Sequence, residues 1–412
     1  MRRLTLPLLS LAVASGAARA APPAWVEMTA AGADARVVTS SRACPTFLID
    51  DHRERMRLRA GSEAGFDNRV CVARLPASAR RASVDGVGLP LPKARPGRLV
   101  IFGDTGCRLT AKVTQHCNEP DGWPFAKVAA LAAAHRPDLV IHVGDYYYRE
   151  KPCPPGVDAC ARSPFGDRWA TWKAELFDPA APLLAAAPWV FTRGNHEICK
   201  RGGGGWFRLL DAAPTPKPCA ATATSFRVDL GGPSLWVADS SDTDDNAAPA
   251  KLAAAFAARL QGVSGGSGET WIVTHRPIWY AARRGQSLGD GVTNATERAA
   301  ARQTPLGNVT LVLSGHIHDF TSMDFAGARP AQWIVGTGGD VLAKGDLPPP
   351  VTGSPVVDGL PATTFSMGRF GYVLLDRHGD EWVGGFHDLS DALIARCRLR
   401  GRALSCVAAK AQ

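Results

Sequence analysis

The chain has 412 residues, of which 45% are hydrophobic and 21% are charged, and its formal net charge is +9. This composition is that of an ordinary globular protein, and it excludes a disordered or fibrous chain. The length exceeds what one hydrophobic core comfortably supports, so we expect one large domain and a smaller one. Basic residues are scattered rather than gathered into an aromatic-studded stripe, and we predict no nucleic-acid groove.

The first 20 residues have the pattern of a signal peptide. Arg2 and Arg3 give a charged start, residues 4–13 are apolar, and Ala18-Arg19-Ala20 matches a cleavage site. The arginine pair leaves the twin-arginine export route open as an alternative to general secretion. Without this segment 44 basic residues would face 38 acidic ones, a net charge of +6. The apolar run is too short to span a bilayer, so we predict a periplasmic or secreted protein without a membrane span.

Ten cysteines follow this segment, an even number, and they fall into neighbours along the chain. The neighbours are Cys44 with Cys71, Cys107 with Cys117, Cys153 with Cys160, Cys199 with Cys219, and Cys397 with Cys406. In an oxidising compartment this spacing predicts disulfides, although the connectivity stays open. The alternative is a cysteine-rich zinc cluster, and the lack of any C-x-x-C pair argues against it.

Residues 21–96 are predicted to form a small β-rich N-terminal module and a linker. Short apolar runs at Thr46–Ile49 and Val70–Leu75, broken by Gly, Pro, Ser and charged residues, are typical of strands. The proline-rich stretch Leu89–Pro96 is typical of a linker. The sequence does not indicate the function of this module.

From Arg98 onward the pattern changes to alternating strands and helices. The runs Arg98–Phe102 and Leu139–Val143, with helical periodicity at Phe125–His135 between them, predict a β-α-β unit. Further strands are predicted at Trp189–Thr192, Ser225–Leu230, Ser234–Ala238, Trp271–Thr274, Val309–Ser314, Gln332–Val335, Tyr372–Leu375 and Glu381–Phe386, and helices at Arg168–Leu176 and Ala250–Leu260. We therefore predict an α/β fold for a catalytic domain at residues 97–390, followed by a C-terminal tail at 391–412 with its own disulfide.

Five polar clusters directly follow predicted strands. They are Gly103-Asp104-Thr105-Gly106, Gly144-Asp145-Tyr146-Tyr147-Tyr148, Gly194-Asn195-His196-Glu197, Thr274-His275 and Gly315-His316-Ile317-His318. In open α/β sheets the loops at the carboxyl ends of strands line one crevice, so we expect these clusters to converge. Glycine in four of them allows the sharp turn and close approach that a metal cradle needs.

The side chains of these clusters form a mixed oxygen and nitrogen donor set. The candidate metal ligands are Asp104, Asp145, Tyr148, Asn195, His275, His316 and His318. Such a set suits iron, zinc or manganese better than calcium or magnesium. Seven donors are too many for one first-row ion with an open position, and they fit two ions about 3.5 Å apart that share a carboxylate.

In this order the five clusters resemble the sequence blocks of the calcineurin-like metallophosphoesterase superfamily, and within it those of purple acid phosphatases. The similarity spans residues 98–320, and Tyr148, three residues after Asp145, indicates the purple group. The resemblance implies a four-layer α-β-β-α sandwich. It also implies two ions, a ferric one held by Asp104, Asp145, Tyr148 and His318, and a divalent Fe, Zn or Mn ion held by Asn195, His275 and His316 and bridged by Asp145.

The same resemblance assigns the remaining catalytic roles. His196 becomes the general acid for the leaving group, and Glu197 either orients it by a hydrogen bond or forms a surface ion pair. The predicted enzyme is an exported phosphomonoesterase that acts on a small phosphorylated substrate through hydroxide activated by the metals. A phosphodiesterase acting on nucleotides or glycerophosphodiesters is the alternative, and a non-catalytic phospholigand-binding protein is a further one.

Two features depart from the family pattern. Ile272 stands where the fourth block has valine, which is a mild change. A cysteine-bracketed insertion with Cys153 and Cys160 follows Tyr148, and we predict that it shapes substrate access.

Polar residues outside the clusters are predicted to be structural. His135 complements the dipole at a helix end, and His387 has no partner at ligand spacing. Arg193, Asp239 and Arg276 fall beside the clusters, and for these a loop-capping role is favoured over substrate contact.

Overall fold

The structure is a computed structural model, and it describes residues 22–213, 219–266, 268–291, 293–343 and 349–409. The predicted signal peptide therefore lies outside the described residues. Among the described residues, no helix has the length and apolar character needed to cross a membrane.

Strands dominate the described part of the chain. In chain order they are β1 Ala24–Thr29, β2 Gly32–Thr39, β3 Thr46–Ile49, β4 His52–Arg55, β5 Arg57–Ala60, β6 Arg69–Leu75, β7 Ala82–Val84, β8 Val87–Gly88, β9 Arg98–Phe102, β10 Leu139–His142, β11 Trp189–Phe191, β12 Phe226–Asp229, β13 Ser234–Val237, β14 Thr270–Val273, β15 Ala281–Arg284, β16 Ser287–Asp290, β17 Val309–Ser314, β18 Phe320–Asp324, β19 Ala331–Val335, β20 Val351–Gly353, β21 Val356–Val357, β22 Leu360–Pro361, β23 Thr363–Met367, β24 Gly371–His378, β25 Glu381–Asp388, β26 Leu393–Arg400 and β27 Ala403–Ala408.

The helices are few and mostly short. The α-helices are α1 Phe125–Ala134, α2 Trp169–Trp172, α3 Ala181–Ala186, α4 Gly203–Leu209, α5 Ala250–Leu260 and α6 Ala295–Ala301. Turns of 3-10 helix occur at Asp158–Cys160, Asn195–Glu197 and Gln261–Gly265, and a π-helical stretch at Lys173–Phe177 continues α2. The predicted helix at Arg168–Leu176 is thus present but changes its hydrogen-bonding pattern halfway.

Two large sheets contain the strands that carry the polar clusters. The larger has the order β27-β26-β25-β24-β9-β10-β11-β1-β2-β6-β5, with β9, β10, β11 and β1 parallel. The second has the order β12-β13-β14-β17-β19-β18-β23-β20, with β13, β14, β17 and β19 parallel. Parallel neighbours place their carboxyl ends at the same edge of each sheet.

The two sheets pack face to face through an apolar core. Because side chains alternate along a strand, Leu99 and Ile101 of β9 face Val273 of β14 and Leu313 of β17 across this core. The outer face of the larger sheet, with Phe102, is covered by α1 to α4. The outer face of the second sheet is covered by α5 and α6. The prediction of an α/β fold is confirmed.

The N-terminal residues contribute to the larger sheet as well as to a small sheet of their own. Strand β1 pairs in parallel with β11, and β2, β6 and β5 continue outward from it. Strands β3, β4, β7 and β8 form a four-stranded sheet that shares a core with β2 and β6. Arg36 of β2 donates hydrogen bonds to Leu209 O at 2.8 Å and to Asp211 O at 2.9 Å. Strands from before and after residue 96 share this sheet. The predicted domain boundary at residue 96 therefore stays a prediction.

Five disulfides join the cysteines. Each predicted neighbour pair is bonded: Cys44–Cys71, Cys107–Cys117, Cys153–Cys160, Cys199–Cys219 and Cys397–Cys406. The last of them links β26 to β27, so the predicted C-terminal tail forms the far edge of the larger sheet. The prediction of disulfides is confirmed.

Candidate metal centre

The five polar clusters meet where the carboxyl ends of the two parallel sets of strands come together. Asp104 follows β9, Asp145 follows β10 and Asn195 follows β11, whereas His275 follows β14 and His316 follows β17. The two sheets are joined directly at this edge, because the His316 amide donates to both oxygens of Asp104, at 3.2 and 3.0 Å. The expected convergence is therefore present.

The backbone at this edge is held in an unusual conformation. Asp104, Asp145 and His316 have φ angles of 56°, 59° and 69°, in the left-handed region that residues with a side chain seldom adopt. Such residues cost on the order of 1–3 kcal/mol each, and they concentrate at functional sites. A Cβ atom on Gly194 would collide with the Asp145 carboxylate, and one on Gly315 with the Asp104 carboxylate. Glycine at these two positions lets neighbouring loops close around the carboxylates.

Three buried side chains, Asp104, Asp145 and Tyr148, and the partly buried His318 form the first group of donor atoms. The Tyr148 hydroxyl lies 2.9 Å from Asp145 Oδ2, 3.2 Å from Asp104 Oδ1 and 3.1 Å from His318 Nε2. His318 Nε2 is 3.2 Å from Asp104 Oδ1. Ligand atoms lie about 2.1 Å from a first-row ion, and the angle between two of them at the ion is roughly 90° to 110°. Two such atoms are therefore roughly 3.0–3.4 Å apart. The spacing fits both hydrogen bonds and joint coordination of one ion.

The second group is Asn195, His275 and His316, and one of its ligand atoms has no partner in the described part of the protein. Asn195 Oδ1 is buried and has no hydrogen-bond partner among the described residues. His275 Nδ1 lies 2.9 Å from Val143 O, and His275 Nε2, on the other side of the ring, lies 3.1 Å from Asp145 Oδ2. The ligand atoms of Asp145, His275 and His316 all lie within 4.8 Å of one another. This donor set fits a second ion.

Electrostatics at the centre favour cations. Burial opposes charge on His275, but the nearby carboxylates of Asp145 and Asp104 raise its pKa to about 9. Burial likewise opposes charge on His318, and Asp340 and Asp104 raise its pKa to about 9. Burial raises the pKa of Tyr148 well above its usual value, and the carboxylates of Asp145, Asp104 and Asp340 raise it further. Protons thus balance the buried carboxylates, and a metal ion binding here must release them.

The pattern of clusters also identifies the family. Residues 97–320 match the family model for calcineurin-like phosphoesterases, and this segment holds every cluster described above. The chain belongs to the calcineurin-like phosphoesterase family. Members of this family use dinuclear metal centres, in agreement with the two groups of donors. No curated protein matches the chain significantly by sequence.

Solved structures share the fold of this calcineurin-like phosphoesterase at low sequence identity. Purple acid phosphatase PPD1 from yellow lupin (Lupinus luteus) seeds is 13% identical with a TM-score of 0.55, and the match covers 89% of this chain and 72% of that one. The structure of PhoD is 11% identical with a TM-score of 0.54, and the match covers 95% of this chain and 91% of that one. The suspected family resemblance is confirmed.

In this calcineurin-like phosphoesterase His196 lies against the first donor group. Its ring packs on Tyr148 with 3.8 Å between centroids, and its amide donates to Asp145 Oδ1 at 2.9 Å. Its Nδ1 atom is 2.9 Å from Glu150 Oε1, and Arg201 Nη2 is 2.7 Å from the same oxygen. Glu150 was missed by the sequence reasoning because it lies outside every family block, in the insertion after Tyr148.

Glu197 does not orient His196, contrary to one of the two roles considered for it. Its carboxylate accepts hydrogen bonds from the backbone amides of Gly194, Asp145, Tyr146 and Tyr147, at 2.9, 3.2, 2.8 and 3.0 Å. Those bonds also rule out the surface ion pair, because the side chain is fully buried. Glu197 instead fixes the loop that carries Asp145, and the acid beside His196 is Glu150.

Three acidic residues outside the five clusters contact the loops and side chains of the candidate ligands. Glu175, buried in the π-helical stretch, accepts from the amides of Cys107, Tyr148 and Arg149 at 2.7, 3.2 and 2.8 Å. Asp340 Oδ2 lies 3.3 Å from His318 Nδ1. Asp245 Oδ1 lies 3.2 Å from His316 Nε2. Single acidic residues outside the five clusters give no sequence signal of these contacts.

The three residues expected to cap loops do contact loop backbone. Arg193 donates to Glu197 O at 3.0 Å and lies 3.2 Å from Asp239. Arg276 donates to Ser240 O at 2.8 Å and to Asp245 Oδ1 at 2.6 Å.

Proposed function

We propose that this chain is an exported phosphomonoesterase that works with two metal ions. The observation that carries the proposal is Asn195 Oδ1, a buried atom without a hydrogen-bond partner among the described residues, beside a group of carboxylates, a phenol and imidazoles. Leaving a buried polar atom without a partner costs about 1–3 kcal/mol, so this atom needs a ligand that the described residues do not supply. A divalent ion is the ligand that the donor types favour.

The donors divide between the two ions as the family pattern implies. Asp104, Asp145, Tyr148 and His318 hold one ion, which we assign as ferric iron because a phenolate is a hard anionic ligand. Asn195, His275 and His316 hold a divalent Fe, Zn or Mn ion, and Asp145 contacts donors of both groups, at 2.9 Å from Tyr148 and 3.1 Å from His275. When bound, the ions lower the pKa of water and neutralise charge on the phosphoryl oxygens.

His196 supplies the proton for the leaving alkoxide. Its Nδ1 faces Glu150, and its Nε2 faces the donor groups, 3.9 Å from Asp145 Oδ2. His196 lines the cleft above the centre, where a substrate would bind. Glu150 stabilises the protonated ring and holds its orientation, in the way that a carboxylate supports a catalytic imidazole.

Export is part of the proposal and is supported by the disulfides. Five cystines and no unpaired cysteine among the described residues are typical of proteins that fold in an oxidising compartment. The N-terminal pattern of Arg2-Arg3 and an apolar run agrees with this destination.

One experiment tests metal use and reaction together. The purified mature chain, loaded with iron and zinc, is assayed on p-nitrophenyl phosphate and on its bis-ester, with metal content measured on the same sample. We expect two metal ions per chain and faster turnover of the monoester. Faster turnover of the diester would replace the monoesterase by a phosphodiesterase, and a protein that holds no transition metal would contradict the proposal altogether.

The iron assignment has its own spectroscopic test. A tyrosinate bound to ferric iron absorbs visible light by charge transfer, so the iron-loaded protein is expected to be coloured. Tyr148→Phe should remove the band, whereas Tyr147→Phe, a buried neighbour outside both donor groups, should keep it. Colour that survives in Tyr148→Phe would show that another residue is the phenolate ligand.

A further inference from the structure

The cleft over the metal centre is lined by two chemically different sets of residues. Its volume is about 510 Å³, and one set contains His196 and the donors Asp145, Tyr148, Asn195, His316 and His318. The other set is apolar, and we call it the apolar wall: Val113, Tyr280, Ile317, Val341 and Leu342. The apolar wall and these donors therefore share one cleft.

Two members of the apolar wall are unusually exposed. Val113 and Val341 each keep 37% of their surface accessible, and they are two of only six large hydrophobic side chains exposed in the described part of the chain. A single exposed valine needs no explanation. Two of them at one cleft, next to Tyr280 and Leu342, form a surface suited to an apolar ligand.

The wall is held in place by the same contacts that hold the catalytic centre. The Val341 amide donates to Asp340 Oδ1 at 2.7 Å, and the Val341 carbonyl oxygen lies 2.7 Å from His318 Nδ1. Val113 sits in the loop closed by Cys107–Cys117, where its carbonyl accepts from the Thr110 amide at 2.9 Å. A rigid apolar surface binds a ligand without the entropic cost of ordering flexible side chains.

The charges around the cleft match a single phosphoryl group. Arg108 is the one Lys or Arg among the described lining residues. Its guanidinium is already paired with Asp340, and it stacks over the Tyr148 ring at 4.8 Å. These described residues thus offer no free cation for a second phosphate, as a polyphosphorylated substrate would require.

We propose that the apolar wall binds the organic group of the substrate, and that the substrate is a phosphate monoester of an apolar alcohol or phenol. Monoesters of sugars and polyols, and polyphosphates, would leave the wall without a matching partner. This inference rests on the proposed phosphomonoesterase function, and it adds the class of ester that the enzyme prefers.

Phosphonates test the wall without the complication of leaving-group reactivity. We compare inhibition constants of methylphosphonate and hexylphosphonate on the metal-loaded enzyme, and of butylphosphonate against 3,4-dihydroxybutylphosphonate, which has the same chain length. From the apolar area gained, hexylphosphonate should bind at least about tenfold tighter than methylphosphonate. The dihydroxy compound should bind more weakly than butylphosphonate.

Variants locate the effect on the wall. In the double variant Val113→Asn/Val341→Asn we expect the hexyl-to-methyl ratio to fall below about threefold, and the metal content of the same sample reports the state of the centre. Val407→Asn is the matched control, because Val407 is also an exposed valine, 56% accessible, on β27. This control should keep the full ratio.

The possible failures are distinguishable. An enzyme that hydrolyses phosphomonoesters but binds all chain lengths equally would overturn the inference and leave the proposed function standing. A full ratio in the double variant would also overturn it, since the preference would then arise elsewhere. A metal-loaded protein that hydrolyses no phosphate ester would remove the proposed function and this inference with it.

Discussion

Two groups of histidine and carboxylate side chains occur in different parts of this molecule, and they differ in how deeply they are buried. In the catalytic group, the ligand atoms of Asp145, His275 and His316 lie within 4.8 Å of one another. The peripheral group consists of His135 at the end of α1, His387 in β25 and Asp391 in the turn after β25, and its ligand atoms also lie within 4.8 Å of one another. By proximity alone the two groups would both be metal sites.

The peripheral group is complete without an ion. Asp391 Oδ1 lies 2.9 Å from His135 Nε2 and 3.2 Å from His387 Nδ1, and it accepts a hydrogen bond from the Tyr372 hydroxyl at 2.5 Å. In the catalytic group Asp145 and His275 are buried and 3.1 Å apart, and beside them Asn195 Oδ1 is a buried atom with no hydrogen-bond partner among the described residues. The difference teaches that burial and an unsatisfied buried atom beside the group, rather than closeness of ligand-type residues, distinguish a metal centre from a hydrogen-bonded network.

The sharpest way to break this comparison is to remove one histidine from each group. His275→Ala should lose the divalent ion and lower kcat/KM for a phosphomonoester at least about a thousandfold, because the ion supplies most of the charge stabilisation. His135→Ala, the matched control, should keep both ions and activity within about twofold, since its group satisfies itself. Metal analysis and steady-state kinetics on both variants check this. Equal losses in the two variants would erase the distinction.

A second comparison involves two histidines with nearly identical carboxylate contacts. His196 Nδ1 is 2.9 Å from Glu150, as His135 Nε2 is from Asp391, but only His196 lines the cleft. His196→Asn should lower kcat roughly 10²- to 10⁴-fold for an alkyl phosphate, the usual worth of a general acid. The loss should be smaller for p-nitrophenyl phosphate, whose leaving group needs no proton. Equal losses on both substrates with full metal content would contradict a proton-donating role.

Removing only the charge of the Glu150 carboxylate tests the same contact with His196, and we expect a smaller loss of activity. Glu150→Gln keeps the side-chain size, so we expect about a tenfold loss of kcat for an alkyl phosphate with KM little changed, because the protonated ring loses its partner charge. Glu119→Gln is the control, since Glu119 also contacts a histidine, His116, at 2.9 Å but in an exposed pair. A loss of equal size on p-nitrophenyl phosphate would indicate a merely structural role for Glu150.

Strand-end motifs explain why so much of the centre was predictable from the sequence. The strand Arg98–Phe102 has the predicted bounds, and the cluster after it supplies Asp104 as expected. Each motif is local, and the rule that parallel strands share a carboxyl edge brings distant motifs together. The seven predicted donors therefore lie at one place although up to 214 positions separate their numbers in the sequence, from Asp104 to His318.

Contacts that depend on tertiary packing were not predictable in this way. Glu150 and Asp340 reach the centre from loops and Glu175 from the π-helical stretch, and at none of these places does a lone acid have a spacing signal. The same limit applies to β1, because apolar alternation predicts a strand but does not identify its partner, and β1 joins β11 across more than 150 residues. Glu197 shows the reverse error, since its place in a motif suggested chemistry whereas its carboxylate holds backbone amides.

The smallest predicted effect concerns the stability of the peripheral group. Burial acts to raise the pKa of Asp391, but hydrogen bonds from His135 and Tyr372 outweigh it and hold the pKa below its usual value. A carboxyl with a lowered folded-state pKa stabilises the protein above its unfolded-state pKa, and that contribution disappears as the pH falls through the folded-state value. Asp391→Asn should therefore lower the free energy of unfolding by less than about 1 kcal/mol at pH 7, because the group is partly exposed, and the difference should vanish only well below about pH 4, once the pH has passed the folded-state value.

Unfolding of the metal-free protein in urea, at both pH values, measures this difference without a contribution from metal release. Asp380→Asn is the control, because Asp380 pairs with Arg400 at 3.2 Å on the exposed surface and should change stability by less than about 0.5 kcal/mol. A difference for Asp391→Asn that persists at low pH would mean that its side chain acts through packing rather than charge. Loss of catalytic metal in this variant would mean that the two groups are coupled, and the self-contained character inferred for the peripheral group would be wrong.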